Sequence, residues 1–264
     1  RLAYAGVVNC VFSLSSPVFA GALDAEKSAL LDRPGGGSAA EWDRYAASKG
    51  QPFWQTELRF YGPLKVIQAQ WEHTKESLRA IADVALTDGP VTRFPLTDDQ
   101  VSRLNDPTTF GIPSLNVFST LAGTSGHLDA SPMLPYSGEA LLTAHKTFMK
   151  VFRDAGFELT LGFGMSYHWR AFIMFQGINL TRDPKQNAKA RALYERVVET
   201  ASEHGWGIYR SHAAFMDKVM DTYSFNDHAL MRLNETLKDA LDPNGILSAG
   251  RYGIWPKHLR GNRA

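Results

Sequence analysis

One stretch constrains the fold of this chain more than any other, the run from 185 to 204. Ala190, Leu193, Val197, Val198 and Ala201 recur there at three- and four-residue spacing, which sets them on one side of a helix. Asp183-Pro184 just ahead supplies a capping carboxylate and a ring suited to the first helical turn. A helix this long with one apolar stripe must lie on a broad surface. Two extended runs before it, 158–164 and 167–176, read as strands that provide one.

The same succession of extended and helical segments recurs upstream. FWQTELRFYG (53–62) alternates apolar and polar side chains, and Gly62-Pro63 then opens a helix with Val66, Ile67, Trp71, Leu78 and Ile81 on its inner side. GHLDASPMLP (126–135) is extended. Ser137-Gly138-Glu139 leads from it into a helix through Leu142, Phe148, Val151 and Phe152, which ends at Ala155-Gly156. Residues 7–14 read as a strand and 23–31 as a short helix, while RPGGGSAAEW and the Pro-rich 94–118 read as loops. The expected fold is α+β: an antiparallel sheet covered by helices on one face, plus a mostly helical C-terminal segment.

Composition excludes several functions. The chain's 264 residues can bury a sizeable core, as one large domain or two small ones. A net charge of +1 gives no electrostatic case for nucleic acid or an anionic membrane, and no apolar run is long enough to span a bilayer. The single cysteine, Cys10, excludes an internal disulfide framework and a thiolate metal cluster. The eight histidines lack close ligand spacing, so no metal is expected. There is no phosphate loop, GxGxxG, HExxH or GxSxG, and the glycine run at 35–37 precedes no strand–helix unit. The N-terminal RLAYAGVVNC has the positive start and apolar middle of a secretory signal. Asn9, Ser13, Ser15, Ser16 and Pro17 interrupt the apolar run, however, and the alternation suits a strand cut from something longer.

Three groups of residues carry chemistry. In GWGIYRSHAAFMD (205–217), Tyr209 and Arg210 set a phenol hydroxyl beside a permanent cation, a pair able to hold an oxyanion; the plain alternative is a surface Arg next to a core Tyr. His127 and Asp129 lie two residues apart on one face of an extended run. His168 shares a strand face with Arg170.

With these strings in view, the chain resembles the C-terminal half of the vanillyl-alcohol oxidase-type flavoproteins, the group that includes eugenol oxidase and 4-cresol dehydrogenase. The likeness is strongest in GWGIYRSHAAFMD and LDPNGILSAGRYGIWP (241–256). RFYGPLKVIQAQW (59–71), GIPS (111–114), GHLDASP (126–132) and the strand from His168 also match in order. The resemblance implies a cap (substrate) domain over 1–203 and a segment, 204–264, that returns to an FAD-binding domain. The N-terminal FAD-binding half, with the catalytic base, is absent from this sequence. It implies a para-substituted phenol as substrate, FAD as cofactor and molecular oxygen as acceptor, with hydride passing to the flavin and leaving a quinone methide. Tyr209 and Arg210 would hold the phenolate, with Arg210 also near the flavin. His127 would carry a covalent flavin link, Arg251 would lie near the flavin N1 side, and His168 would line the substrate pocket. Asp129 stands where the family has an apolar or small residue; it would accept a hydrogen bond from a polar side-chain substituent or assist water addition, the plain alternative being a carboxylate turned to solvent or paired with an Arg.

The resemblance leaves two rivals open, a dehydrogenase passing electrons to a cytochrome and a non-catalytic assembly module that has lost its FAD half. A homo-oligomer and an intracellular, cytoplasmic location are expected, with lignin-derived aromatics as natural substrates. The tail GNRA is not a peroxisomal tripeptide.

Overall fold

A computed structural model describes residues 2, 7–8, 13–15, 24–33, 37–52, 54–81, 84–104, 107–115, 126–157, 163–167 and 170–262. Cys10, His168 and most of the signal-like N-terminal run lie outside these residues. The sheet is antiparallel throughout. Its strands are β1 (Ser13–Ser15), β2 (Gln55–Thr56), β3 (His127–Ala130), β4 (Met133–Pro135), β5 (Phe163–Tyr167) and β6 (Ala171–Asn179). Their order is β2-β1-β5-β6-β3, with β4 also paired to β6.

Strands β3 and β4 are one strand in two pieces. His127 pairs with Asn179, Ala130 with Gln176, Met133 with Ile173 and Pro135 with Ala171, a single unbroken register. Pro132 lacks an N–H to give the ladder, so the strand is interrupted there, while its carbonyl still accepts from Met174 N at 2.9 Å.

Directly paired residues share a face of the sheet. Leu128, Ala130 and Leu134, with Phe172, Met174 and Ile178, turn into the main core. His127 and Asp129, opposite Asn179 and Gly177, therefore belong to the other face. Two long helices close the core side, α5 (Gly138–Asp154) and α6 (Pro184–Glu203), after α1 (Ala25–Leu31), α2 (Ala39–Ser48), α3 (Leu64–Leu78) and α4 (Asp98–Ser102) earlier in the chain. All five residues of the expected α6 stripe are buried, and Asp183 caps its first turn by accepting from Lys185 N at 2.9 Å. α5 buries Phe148 and Phe152 and stops at Gly156, whose φ of 76° is the left-handed conformation that glycine adopts without strain. α1 meets the opposite face at one edge, where Asn179 Nδ2 donates to the Leu31 carbonyl at 2.9 Å.

Several expectations are corrected. The RPGGGSAAEW loop contains the start of α2, because Ser38 and Glu41 form a reciprocal capping box. The 94–118 loop contains α4, set by a similar box between Thr97 and Gln100, and a 3-10 turn at Pro107–Phe110. The 53–62 strand shrinks to Gln55–Thr56 at the sheet edge. On α3 the buried residue is Thr74 and Val66 is exposed, Ile81 lies past the helix end and is exposed too, and on α5 Leu142 faces solvent. Alternation and helical spacing show which residues could share a face; they do not show whether another element covers it.

The C-terminal part adds α7 (Met216–Asp221) and α8 (Phe225–Leu241), with 3-10 turns at Ala213–Phe215, Arg251–Gly253 and Lys257–Asn262. Trp206, Ile208, Phe215 and Val219 belong to the main core, so this part is continuous with the sheet and helices before it. Among the described residues no helix is long and apolar enough to cross a membrane.

Candidate functional site

The site is built where the chain leaving α6 crosses the break in the β3–β4 strand. Trp206 N bonds back to Ala201 O at 2.8 Å, and the indole stacks on His204 at 4.5 Å between centroids. The segment then runs antiparallel to the strand, with Met133 N donating to Gly207 O at 2.7 Å and Tyr209 N donating to Ser131 O at 2.8 Å. Pro132 and Ile208 form a bridge between these bonds, and Ile208 turns into the core. Tyr223 OH donates to Ile208 O at 3.1 Å, and a Cβ on Gly207 would meet that hydroxyl at 2.9 Å, so a side chain there would push the tyrosine anchor aside. Beyond the pair, the Tyr194 and Ser211 hydroxyls hydrogen-bond at 3.2 Å. Tyr209-Arg210 is therefore held on both sides.

This seating brings three of the expected residues together. The Arg210 guanidinium lies 3.8 Å from Asp129 Oδ2 and 5.8 Å from the Phe175 ring centroid. Its side chain stays 57% exposed, whereas that of Asp129 is 17% exposed. Ser131, itself fully buried, donates from Oγ to Asp129 Oδ2 at 3.1 Å. Oδ1 is buried and, among the described residues, accepts no hydrogen bond of ordinary geometry; the nearby Gln176 N–H exerts only a weak pull on the carboxylate. Burial pushes the Asp129 carboxyl up from its ordinary range, against the opposing pull of Ser131, Arg210 and His127. Burial also lowers His127, Asp129 raises it and Arg210 lowers it further, with a net downward shift that favours the neutral imidazole. Tyr209 is 40% exposed beside its partner.

Arg251 stands on a different element. Its 3-10 turn is packed on α7: Tyr252 N donates to Met216 Sδ at 3.3 Å, Trp255 Nε1 donates to Asp217 Oδ1 at 2.7 Å, and a Cβ on Gly253 would strike Met220. The exposed Arg251 guanidinium lies 5.6 Å from the Tyr252 ring centroid. Ser131, Tyr194, Tyr223 and Phe175 escaped the sequence reading. The Ser two residues after Asp129, on its own strand face, is the one signal that was present; the others meet the site from distant parts of the chain.

The groups gathered here are a guanidinium and a neutral imidazole, partly open to solvent, with the Tyr209 phenol the next residue along the chain. That combination suits an oxyanion and the edge of an electron-rich ring better than a metal cation.

Comparison with known proteins bears on the family and the fold. Residues 140–252 match the family model for the C-terminal domain of FAD linked oxidases, a span that includes Tyr209, Arg210 and Arg251. The chain is 20% identical over 253 residues to the flavoprotein subunit of 4-cresol dehydrogenase (hydroxylating) of Pseudomonas putida, across 94% of this chain and 46% of that protein. It is similar in structure to 4-ethylphenol oxidase from Gulosibacter chungangensis in its isoeugenol complex, with a TM-score of 0.74 and 25% identity over 96% of this chain and 49% of that one. It also resembles p-cresol methylhydroxylase with substrate bound, with a TM-score of 0.77 at 18% identity over 96% and 48% of the two chains. The chain thus spans about half the length of the relatives it matches.

Proposed function

Because the chain belongs to the vanillyl-alcohol oxidase family of flavoproteins, whose FAD-oxidase C-terminal domain it carries, we propose that it is the C-terminal half of an FAD-dependent oxidase of para-substituted phenols. In this reading residues 1–203 are the cap over the substrate, 204–264 return to the FAD-binding half, and molecular oxygen is the acceptor.

The observation that carries the reading is the seating of Tyr209-Arg210 across the strand break, beside His127 and Asp129. A phenol is easier to oxidise at its para side chain once its oxygen is anionic, because the phenolate pushes charge toward that carbon. Arg210 and Tyr209 would hold that oxygen, one as a cation and one as a hydroxyl donor, and neither has to change protonation state to do so. FAD, when bound, supplies the two-electron oxidation. His127 would hold it covalently: a bond from imidazole to carbon needs an unshared nitrogen pair, and burial of His127 favours the neutral ring that has one. Arg251, exposed on its turn, would place a cation near the ring edge that gains charge on reduction. His168 is assigned to the pocket by resemblance alone.

The relatives include both an oxidase and a dehydrogenase, and a dehydrogenase is the second reading. The full-length protein decides. It is expected to be yellow as purified, to bleach anaerobically with a 4-alkylphenol, and to form hydrogen peroxide in air without another acceptor. Bleaching without peroxide would favour the dehydrogenase. A colourless full-length protein that takes up no FAD would leave only an assembly module.

A further inference from the structure

Asp129 is the residue that the family resemblance does not account for, and the geometry gives it a use. Its carboxylate is tucked against the sheet, with Ser131 and a loose contact to Arg210 on Oδ2 and, among the described residues, no donor of ordinary hydrogen-bond geometry on the buried Oδ1. An under-solvated carboxylate binds protons more tightly than an exposed one, in line with the upward shift that burial imposes here. The titratable and charged groups that act on it are His127 on its own strand, Arg210 on the crossing segment and Tyr194 on α6.

We propose that Asp129 is the catalytic acceptor of the phenolic proton, and that its ion pair with Arg210 is exchanged for an Arg210–phenolate pair in the same step. This rests on the reading above that a phenol oxygen docks at Arg210. The phenol O–H bond breaks, the proton joins a carboxylate oxygen of Asp129, and the electron pair stays on the phenol oxygen. One negative charge faces the guanidinium before the transfer and one after it, so the site never holds two anions against one cation. In water the transfer is uphill, from a phenol of pKa about 10 to a carboxylate of about 4. Here both ends move: burial raises the carboxyl, and the attraction of Arg210 passes from the carboxylate to the phenolate.

The test uses the full-length, flavin-loaded protein with 4-nitrophenol, whose anion is coloured. On binding below the pH at which this phenol ionises in solution, the wild type should show the phenolate band. Calorimetry in two buffers of different ionisation heat should show no proton released, because Asp129 keeps it. Asp129→Asn should reduce the flavin with a neutral 4-alkylphenol at least tenfold more slowly at pH 6. Its rate should recover as the pH rises toward the substrate's own ionisation. One proton released per phenolate by the wild type would overturn the proposal, as would an Asp129→Asn defect equal at every pH or absent. A wild type that binds no phenol would remove the phenol reading of the site, and this inference with it.

Discussion

Helices α6 and α8 are both amphipathic, and the structure treats them in opposite ways. α6 lays Ala190, Leu193, Tyr194, Val197, Val198 and Ala201 against the sheet and α5, and each is fully or almost fully buried. α8 carries Leu230, Leu233, Leu237 and Leu241 at the same helical spacing, yet all four are exposed and Met231 is its one buried residue. Ile246 and Leu247 extend that apolar surface beyond the helix. The closing turn is nonetheless tied down: Arg260 makes a bidentate pair with Asp239, and the Asp242 carboxylate accepts from Ile246 N and Leu247 N. An ordered apolar stripe without cover is characteristic of a contact surface rather than of a core. Equal periodicity therefore says nothing about equal burial.

The comparison can be broken most directly at Phe148, at the centre of the α5–α6 packing. Phe148→Ala should cost about 3–5 kcal/mol in a urea titration, through lost burial and the cavity left behind. A loss below about 1 kcal/mol would mean that the packing is far looser than it looks.

Lys27 on α1 tests a fully buried side chain that is not apolar. Burial lowers its ammonium from 10.5 to about 8, with Asp24 pulling the other way. The unfolded chain then holds more protons than the folded one between these values, so this group makes stability rise as pH climbs from about 8 to 10.5. Lys27→Met should flatten that rise and stabilise the protein at pH 7 by about 1–3 kcal/mol, read from Tm against pH.

A smaller effect belongs to the cap of α2. Ser38→Ala removes an acceptor for Glu41 N and should cost about 1 kcal/mol of stability. The smallest is on α8 itself. Leu233, 58% exposed, has little to lose in this chain, so Leu233→Ser should change its stability by less than about 0.5 kcal/mol. A loss above 2 kcal/mol would show that the stripe is covered within the chain after all.

Much of this was legible in advance. The α6 stripe, its Asp183 cap and the glycine stop of α5 are local consequences of spacing and backbone preference, and they appear where the residues put them. The two capping boxes that open α2 and α4 were equally present as S-x-x-E and T-x-x-Q, but the surrounding Gly and Pro suggested loop. Tyr209, Arg210, His127 and Asp129 could each be picked out as chemistry-bearing. Their meeting could not, because it depends on Pro132 breaking a strand and on Tyr223 holding a crossing far along the chain.

By itself the sequence determined what is local: which residues cap, which alternate, which recur every turn, and which strings resemble those of phenol-oxidising flavoproteins. The tertiary structure decided which apolar faces are covered and which charges share a site. Burial and charge pairing depend on what lies across a gap in space, and neighbours along the chain do not specify that. Asp129 shows the difference: as a residue in an extended run it could serve chemistry, face solvent or pair with an Arg, and only the crossing segment that carries Arg210 decided that it is half of an ion pair.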